Sequence, residues 1–351
     1  MNGKSTEVGR KFVAYGDVLR MIASAMVVML HCISPYVKST AFWGARSWVL
    51  FVALDATCRA GVPLFFMLSG AMLLSRDETE GTLAFYRRKI PPVLVLIVCW
   101  DIFYYLYDFL FFYGQEDFSL RVLIDRMLNN GTEYHIWYLY TLVGIYLTAP
   151  FLKKALARCS ECETVILLII VAFCSTLRPF FNTVLPVYLY FFDPLANGYL
   201  GFFLLGYILS RRKFHVGARC AFYACGVLGA GLCVYSTVAA SGADGLSFPF
   251  NYGYSIVHYA SASAIFVLVR ALFDKKGSDR VSPAPLRRLS GATLGIYLLH
   301  VATLAVVQSY LPVGSLTPLP AVAALFAVTY TVSLVLSLVL SRIPFIGKYI
   351  V

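Results

Sequence analysis

Uninterrupted apolar runs of about 20 residues recur along the whole chain, and each is long enough to cross about 30 Å of hydrocarbon as a helix. That one feature excludes most folds. The runs are continuous rather than alternating, which rules against a membrane β-barrel. Only 13% of the 351 residues are charged and mean hydropathy is +0.75, whereas soluble domains carry about 25% charged residues. The first run contains Asp17 and Arg20 and lacks a small-residue cleavage site at its end. It reads as a first membrane helix rather than a removable leader.

The runs fall at 13–36, 48–74, 90–112, 134–152, 163–179, 195–210, 218–240, 253–273, 289–311 and 319–341. The expectation is an all-α integral membrane bundle of about ten helices, a single transmembrane domain over 1–351. A net charge of +11 invites nucleic acid as a partner, but topology explains it better. With ten helices, 21 Lys and Arg fall in loops and termini on one side and 5 (Lys38, Arg46, Arg121, Arg126 and Arg178) on the other. The basic side is cytoplasmic by the positive-inside rule, which places both termini there. No nucleic acid is expected.

Most of the nine cysteines sit inside apolar runs, where Cys acts as a small hydrophobe. Cys159 and Cys162 form one C-x-x-C in a cytoplasmic loop with no second pair or nearby His, so no metal is expected. Segment 113–133 carries Leu120, Val122, Leu123, Ile124, Met127 and Leu128 among Arg121, Asp125 and Arg126, the pattern of a short amphipathic helix on the outer surface. Segment 180–197 is aromatic and interrupted by Pro186 and Pro194, as in a re-entrant or interfacial stretch.

Chemistry in such a chain is sought among polar groups inside the membrane, where a charge is costly. In helix 1 the ionisable groups besides tyrosines are Asp17, Arg20 and His31. A step of eleven residues returns to within about 20° of its start, so Arg20 and His31 share a face, about 16 Å apart along the axis. Asp17, three residues before Arg20, is placed to pair with it. A guanidinium binds phosphate through its planar fork, and histidine is the commonest general base at neutral pH. A long donor with an anionic head and a reactive tip, such as acyl-coenzyme A, suits that stripe. An interfacial ion pair plus a packing histidine suits the spacing equally well. Arg59 needs a partner in the membrane, and Asp55 lies four residues earlier on the same face. Asp101 and Asp108 are further intramembrane carboxylates, and Glu133 reads as a solvated loop residue. His300, one turn after Tyr297, reads as a hydrogen-bonded packing histidine, and His258 with Asn251 and Tyr254 similarly. Neither a G-x-S-x-G elbow nor a P-loop, H-E-x-x-H or G-x-G-x-x-G occurs.

The run Arg20-x10-His31 resembles the first-helix signature of the membrane-bound acyltransferase family three, enzymes that O-acylate bacterial surface glycans, peptidoglycan and other exported molecules. VPLFFMLSGAMLL (62–74), FYRRKIPP (85–92), HIWYLYTLVGIYLTAPFLKK (135–154), GYLGFFLLGYILSRR (198–212) and LSGATLGIYLLH (289–300) are similar to later family segments, in order. The likeness implies an acyltransferase of the bacterial cytoplasmic (inner) membrane, with acetyl-CoA as acyl donor substrate. It is nearest to members that acetylate enterobacterial-type surface antigens. The implied acceptor is a hydroxyl of a surface polysaccharide or its lipid-linked precursor.

The resemblance gives His31 the role of general base, or of transient acyl carrier, with Asp17 orienting Arg20 and Arg20 holding the donor. Arg87, Arg88 and Lys89, in the basic cytoplasmic loop before the third helix, would meet the donor's phosphates. Many members have Arg-x-Arg where this chain has Arg87-x-Lys89, and lysine lacks the bidentate fork. A stop-transfer signal accounts for that cluster as well. His135, Trp137 and Tyr138 would hold the sugar, though an aromatic belt fits Trp137 and Tyr138 too. With no appended extracytoplasmic domain read in the chain, any second step is expected to need a separate protein. The competing classes are a secondary transporter of a small anionic or sugar-like solute, which many helices and buried charges suit, and a non-catalytic partner in glycan export.

Overall fold

In the computed structural model, the described residues are 3–75, 81–111, 119–129, 131–184, 198–242, 245–248, 250, 255–275, 283–310, 317–344 and 347; of 3–13, 177–184 and 274–275 only the backbone is described. Among them there is no strand beyond one isolated Gly242–Gly245 bridge. The helices are α1 (Gly3–Lys38), α2 (Arg46–Cys58), α3 (Gly61–Leu74), α4 (Thr82–Phe111), α5 (Leu120–Leu128), α6 (Trp137–Leu156) and α7 (Glu161–Val184). Then come α8 (Gly198–Arg211), α9 (Val216–Ala240), α10 (Ile256–Lys275), α11 (Ala284–Gly291), α12 (Thr293–Tyr310) and α13 (Pro318–Leu340). Segment 180–197 and the pair Asn251 and Tyr254 lie mostly or wholly outside the described residues.

Seven stretches among the described residues are long and apolar enough to cross a membrane: Ala14–Lys38, Arg46–Leu74, Thr82–Phe111, Val216–Ala240, Ile256–Phe273, Thr293–Tyr310 and Pro318–Leu340. The chain is an all-helical, multi-pass membrane protein. The expected ten would need α6, α7 and α8 as well. The tyrosines of α6 and its terminal Lys153 and Lys154 dilute its hydropathy, and α8 has 14 residues.

The chain divides into two compact units. The first comprises 1–76, 159–291 and 313–326, the second 77–158, 292–312 and 327–351. In the first, α1 packs on α2, α3, α10 and α11, α3 lies against α8, and α9 against α10. The stretch 48–74, expected as one helix, is interrupted at Arg59–Ala60. Pro63 supplies no N–H to the Arg59 carbonyl and its ring crowds that carbonyl. The α3–α8 contact is made by glycines: a Cβ on Gly70 would fall on the Phe203 carbonyl, and one on Gly206 on the Met67 carbonyl. Backbones approach this closely only where side chains are absent, the usual solution for helices in lipid. Trp48 Nε1–H caps the end of α1 by donating to the Val37 carbonyl (3.0 Å). Arg270, on α10, donates to the carbonyls of Leu209 and Arg212 at the end of α8.

In the second unit, α4 packs on α5, α6 and α12. Helix α4 starts at Thr82, so Arg87, Arg88 and Lys89 are helical rather than in a loop, contrary to expectation. Leu, Ala, Arg and Lys are good helix formers, and loss of hydropathy ends a membrane span without ending a helix. Pro91 and Pro92 lie inside α4.

Candidate functional site

Asp17 is 4% exposed. Its Oδ1 accepts from Arg20 Nη1–H at 3.0 Å and from the Ser290 hydroxyl at 2.8 Å. The first partner is the expected one. The second arrives from α11, whose Ser290 is itself 3% exposed. Asp17 Oδ2 is buried and has no hydrogen-bond partner among the described residues. Arg20 is half-buried, and its Nη2 lies 2.8 Å from Met72 Sδ, a weak acceptor on α3. The guanidinium is thus steered by one carboxylate and one thioether and keeps donor capacity for an anion. His31 is half-buried, on the same face of α1 three turns on. Asp17, Arg20 and His31 all belong to the first unit.

Arg59 Nε donates to Asp55 Oδ2 at 2.7 Å and Nη2 to Oδ1 at 3.3 Å, the forked pairing expected of that spacing. The guanidinium also lies over the Phe248 ring at 5.9 Å. His258 Nδ1 is 2.6 Å from the Ser255 hydroxyl. His215 accepts from Ala218 N–H at the start of α9.

The second unit contains the remaining candidates. Arg87 and Arg88 are exposed on the first turns of α4 and Lys89 is half-buried. Beside them, Lys154 donates to Thr82 Oγ1 at 3.0 Å and the Tyr86 hydroxyl to the Leu147 carbonyl at 2.6 Å, which ties α4 to α6. His135 is buried, its ring 5.0 Å from Tyr104, 5.2 Å from His300 and 5.7 Å from Tyr297. Tyr138 is buried too, 5.2 Å from Tyr297, while Trp137 is half-buried. Tyr138 therefore packs inside the unit and is no part of an exposed aromatic belt. The Tyr297 hydroxyl donates to the His135 carbonyl, and His300 Nδ1–H to the Tyr297 carbonyl, as expected of a packing histidine. That bond places the His300 proton on Nδ1 and leaves Nε2 as an acceptor nitrogen.

Asp101, fully buried, organises the approach to His135. Its Oδ1 accepts from Thr132 N–H (2.7 Å) and Oγ1–H (2.9 Å), and Oδ2 from the Tyr140 hydroxyl (2.7 Å). Gly131 has φ +104°, and a Cβ there would press on Ile136. Glu133 is half-buried rather than solvated, and its Oε2 accepts from Tyr134 N–H at 3.1 Å. Burial raises its pKa above the usual carboxylate value, Asp108 adds to this, and the Tyr134 N–H and Arg126 oppose it. Sequence reading missed Ser290 and Thr132, and neither carries a local signal. Among the described residues, no group of three or more His, Cys, Asp or Glu is placed to hold a metal.

Comparison with known proteins adds a family. A profile described as an acyltransferase domain matches residues 13–338, nearly the whole chain. A serine/alanine racemase of Enterococcus gallinarum is 26% identical over 137 residues, which is 36% of this chain and 18% of that protein. The match thus spans less than a fifth of that relative's length. No solved structure matches.

Proposed function

The chain belongs to the acyltransferase family three, and from that premise we propose that it moves an acetyl or similar acyl group from cytoplasmic acyl-coenzyme A to a hydroxyl of a surface polysaccharide or its lipid-linked precursor. The observation that carries the reading is the α1 stripe: a buried Asp17 bonded to Arg20, with His31 on the same face. Arg20 holds the donor, Asp17 and Ser290 keep Arg20 in place, and Arg87, Arg88 and Lys89 meet the donor's phosphates. His135, Trp137 and Tyr138 serve the acceptor.

In the reaction, His31 takes the proton of the acceptor hydroxyl as the oxygen attacks the thioester carbonyl. The tetrahedral intermediate collapses with cleavage of the C–S bond, and the thiolate takes the proton back from the imidazolium. The products are the ester and free coenzyme A, with no net proton released. Membership of an acyltransferase family favours this reading over a secondary transporter.

Release of free thiol from acetyl-coenzyme A by detergent-purified protein, with coenzyme A binding read in the same samples, tests the proposal. Wild type is expected to turn over and His31→Ala to lose about 10²-fold or more, the usual contribution of a general base. Intact turnover in a folded His31→Ala variant would remove His31 from the mechanism. Neither binding nor turnover in folded wild type would return the transporter, to be sought as coupled uptake into proteoliposomes.

A further inference from the structure

Acyl transfer leaves α5 without a task. This nine-residue helix is pinned to α4 at both ends. At its start the Tyr105 hydroxyl donates to the Ser119 carbonyl (3.0 Å) and accepts from Ser119 N–H (3.1 Å). Near its end Arg126 Nη1 meets Asp108 Oδ2 at 3.5 Å and the guanidinium lies over the Tyr105 ring at 5.6 Å. The anchor points on α4 are three residues apart, about 4.5 Å, while Ser119 and Arg126 are seven apart, about 10 Å. Both ends of α5 are therefore held within about one turn of α4.

The level of that attachment follows from α4 itself. Lys89 and Asp108 are nineteen residues apart, about 28 Å of helix, close to one hydrocarbon thickness. Basic side chains keep to the membrane boundary, so with Arg87–Lys89 at one boundary, Tyr105–Asp108 lies at the other. Apolar side chains are exposed on α4 through this level: Ile102, Leu106 and Leu110 form one row at four-residue spacing.

The faces of α5 match such a position. Leu123 is buried against the protein, and Leu120, Ile124 and Leu128 are 62%, 46% and 79% exposed. At about 100° per residue these three share an arc of about 80°, next to Leu123 and Met127, while Arg121 and Asp125 lie beyond its edge. An apolar face bounded by charges of both signs is the pattern of a helix lying in the interface, its long polar side chains turned to the headgroups.

We infer that α5 is an in-plane membrane anchor, with Leu120, Ile124 and Leu128 seated among phospholipid acyl chains of the leaflet opposite the Arg87–Lys89 end of α4. The chain leaving α5 returns directly to Asp101 through Thr132, so the anchor sets the depth of the turn that carries His135. The acyl-transfer reading is not needed for this inference.

The test is photolabelling of the wild-type protein in lipid nanodiscs with phosphatidylcholine carrying a diazirine in its acyl chain. Adducts are mapped by peptide mass spectrometry beside hydroxyl-radical footprinting of the same sample. Lipid adducts on Leu120, Ile124 and Leu128, with protection from hydroxyl radicals, are expected. The variant Ile124→Asp/Leu128→Asp should lose the α5 adducts and keep those on Leu106 and Leu110, the latter showing that α4 still spans. Oxidation of the three side chains without lipid adducts would make α5 an aqueous protrusion. Protection without adducts would mean that protein covers it. Either result overturns the inference.

Discussion

A carboxylate buried in a membrane has to be held by donors, and Asp17 has two of them on one oxygen. Arg20 at i+3 was readable from spacing alone; Ser290 was not, because it lies 273 residues away in sequence. Removing a hydrogen bond to a charged group costs about 1.5–3 kcal/mol, and here the loss would be felt through the placement of Arg20. Ser290→Ala is therefore expected to raise the KM for acetyl-coenzyme A about tenfold with little change in kcat, since about 1.4 kcal/mol of binding is tenfold. Ser290→Thr should restore it. A general loss of folding would lower both parameters and the yield of folded protein instead. Glu133 offers a second test at this scale. Its folded pKa is raised by burial, so the folded state holds the proton more tightly than the unfolded chain. Stability is then full below the unfolded Glu value and falls as pH rises through the folded one. Glu133→Gln is expected to raise Tm at neutral pH, and the gain should vanish below about pH 4, the ordinary Glu range.

Helices in lipid associate through close fit, and the glycines of α3 and α8 show where fit is tightest. Gly70 and Gly206 each face a backbone carbonyl of the other helix, which cannot yield as a side chain can. Gly206→Ala is expected to cost about 1–3 kcal/mol, the range for overpacking, and to lower the thermal midpoint in detergent. Nothing lies within 4 Å of the Cβ position at Gly231 on α9. Gly231→Ala should therefore be neutral or stabilising by up to about 1 kcal/mol. Hydropathy located the membrane part of α4 but missed its first two turns, because Arg87, Arg88 and Lys89 are helix formers as well as charges. The amphipathic pattern of 113–133 foretold α5, and the pinning of its two ends did not show in the pattern.

For the molecule as a whole, the proposed ten-span topology has both termini on one side, and on that topology the 21-to-5 distribution of basic residues would make that side cytoplasmic. Reporter fusions at the two termini should both give the cytoplasmic signal; opposite signals would mean an odd number of spans. On that proposed topology Arg87, Arg88 and Lys89 would face the side from which the proposed donor, cytoplasmic acyl-coenzyme A, arrives. Arg87→Ala/Arg88→Ala should raise the donor KM by about tenfold or more, the order of one charge-assisted hydrogen bond, and high salt should raise it further in wild type by screening. An unchanged KM would leave the cluster as a topology signal alone.

Membrane class, helical content, the Asp17–Arg20 and Asp55–Arg59 pairs and the family were all legible in the sequence. Hydropathy over about 20 residues, spacing of three or four, and ordered motifs are local properties that need no fold to express them. The tertiary structure decided what depends on contact between distant segments: Ser290 beside Asp17, Thr132 and Tyr140 on Asp101, and His135 packed among Tyr104, Tyr297 and His300. Serine, threonine and tyrosine occur throughout such a chain, and only the packing of helices selects which few of them meet a buried carboxylate or a ring.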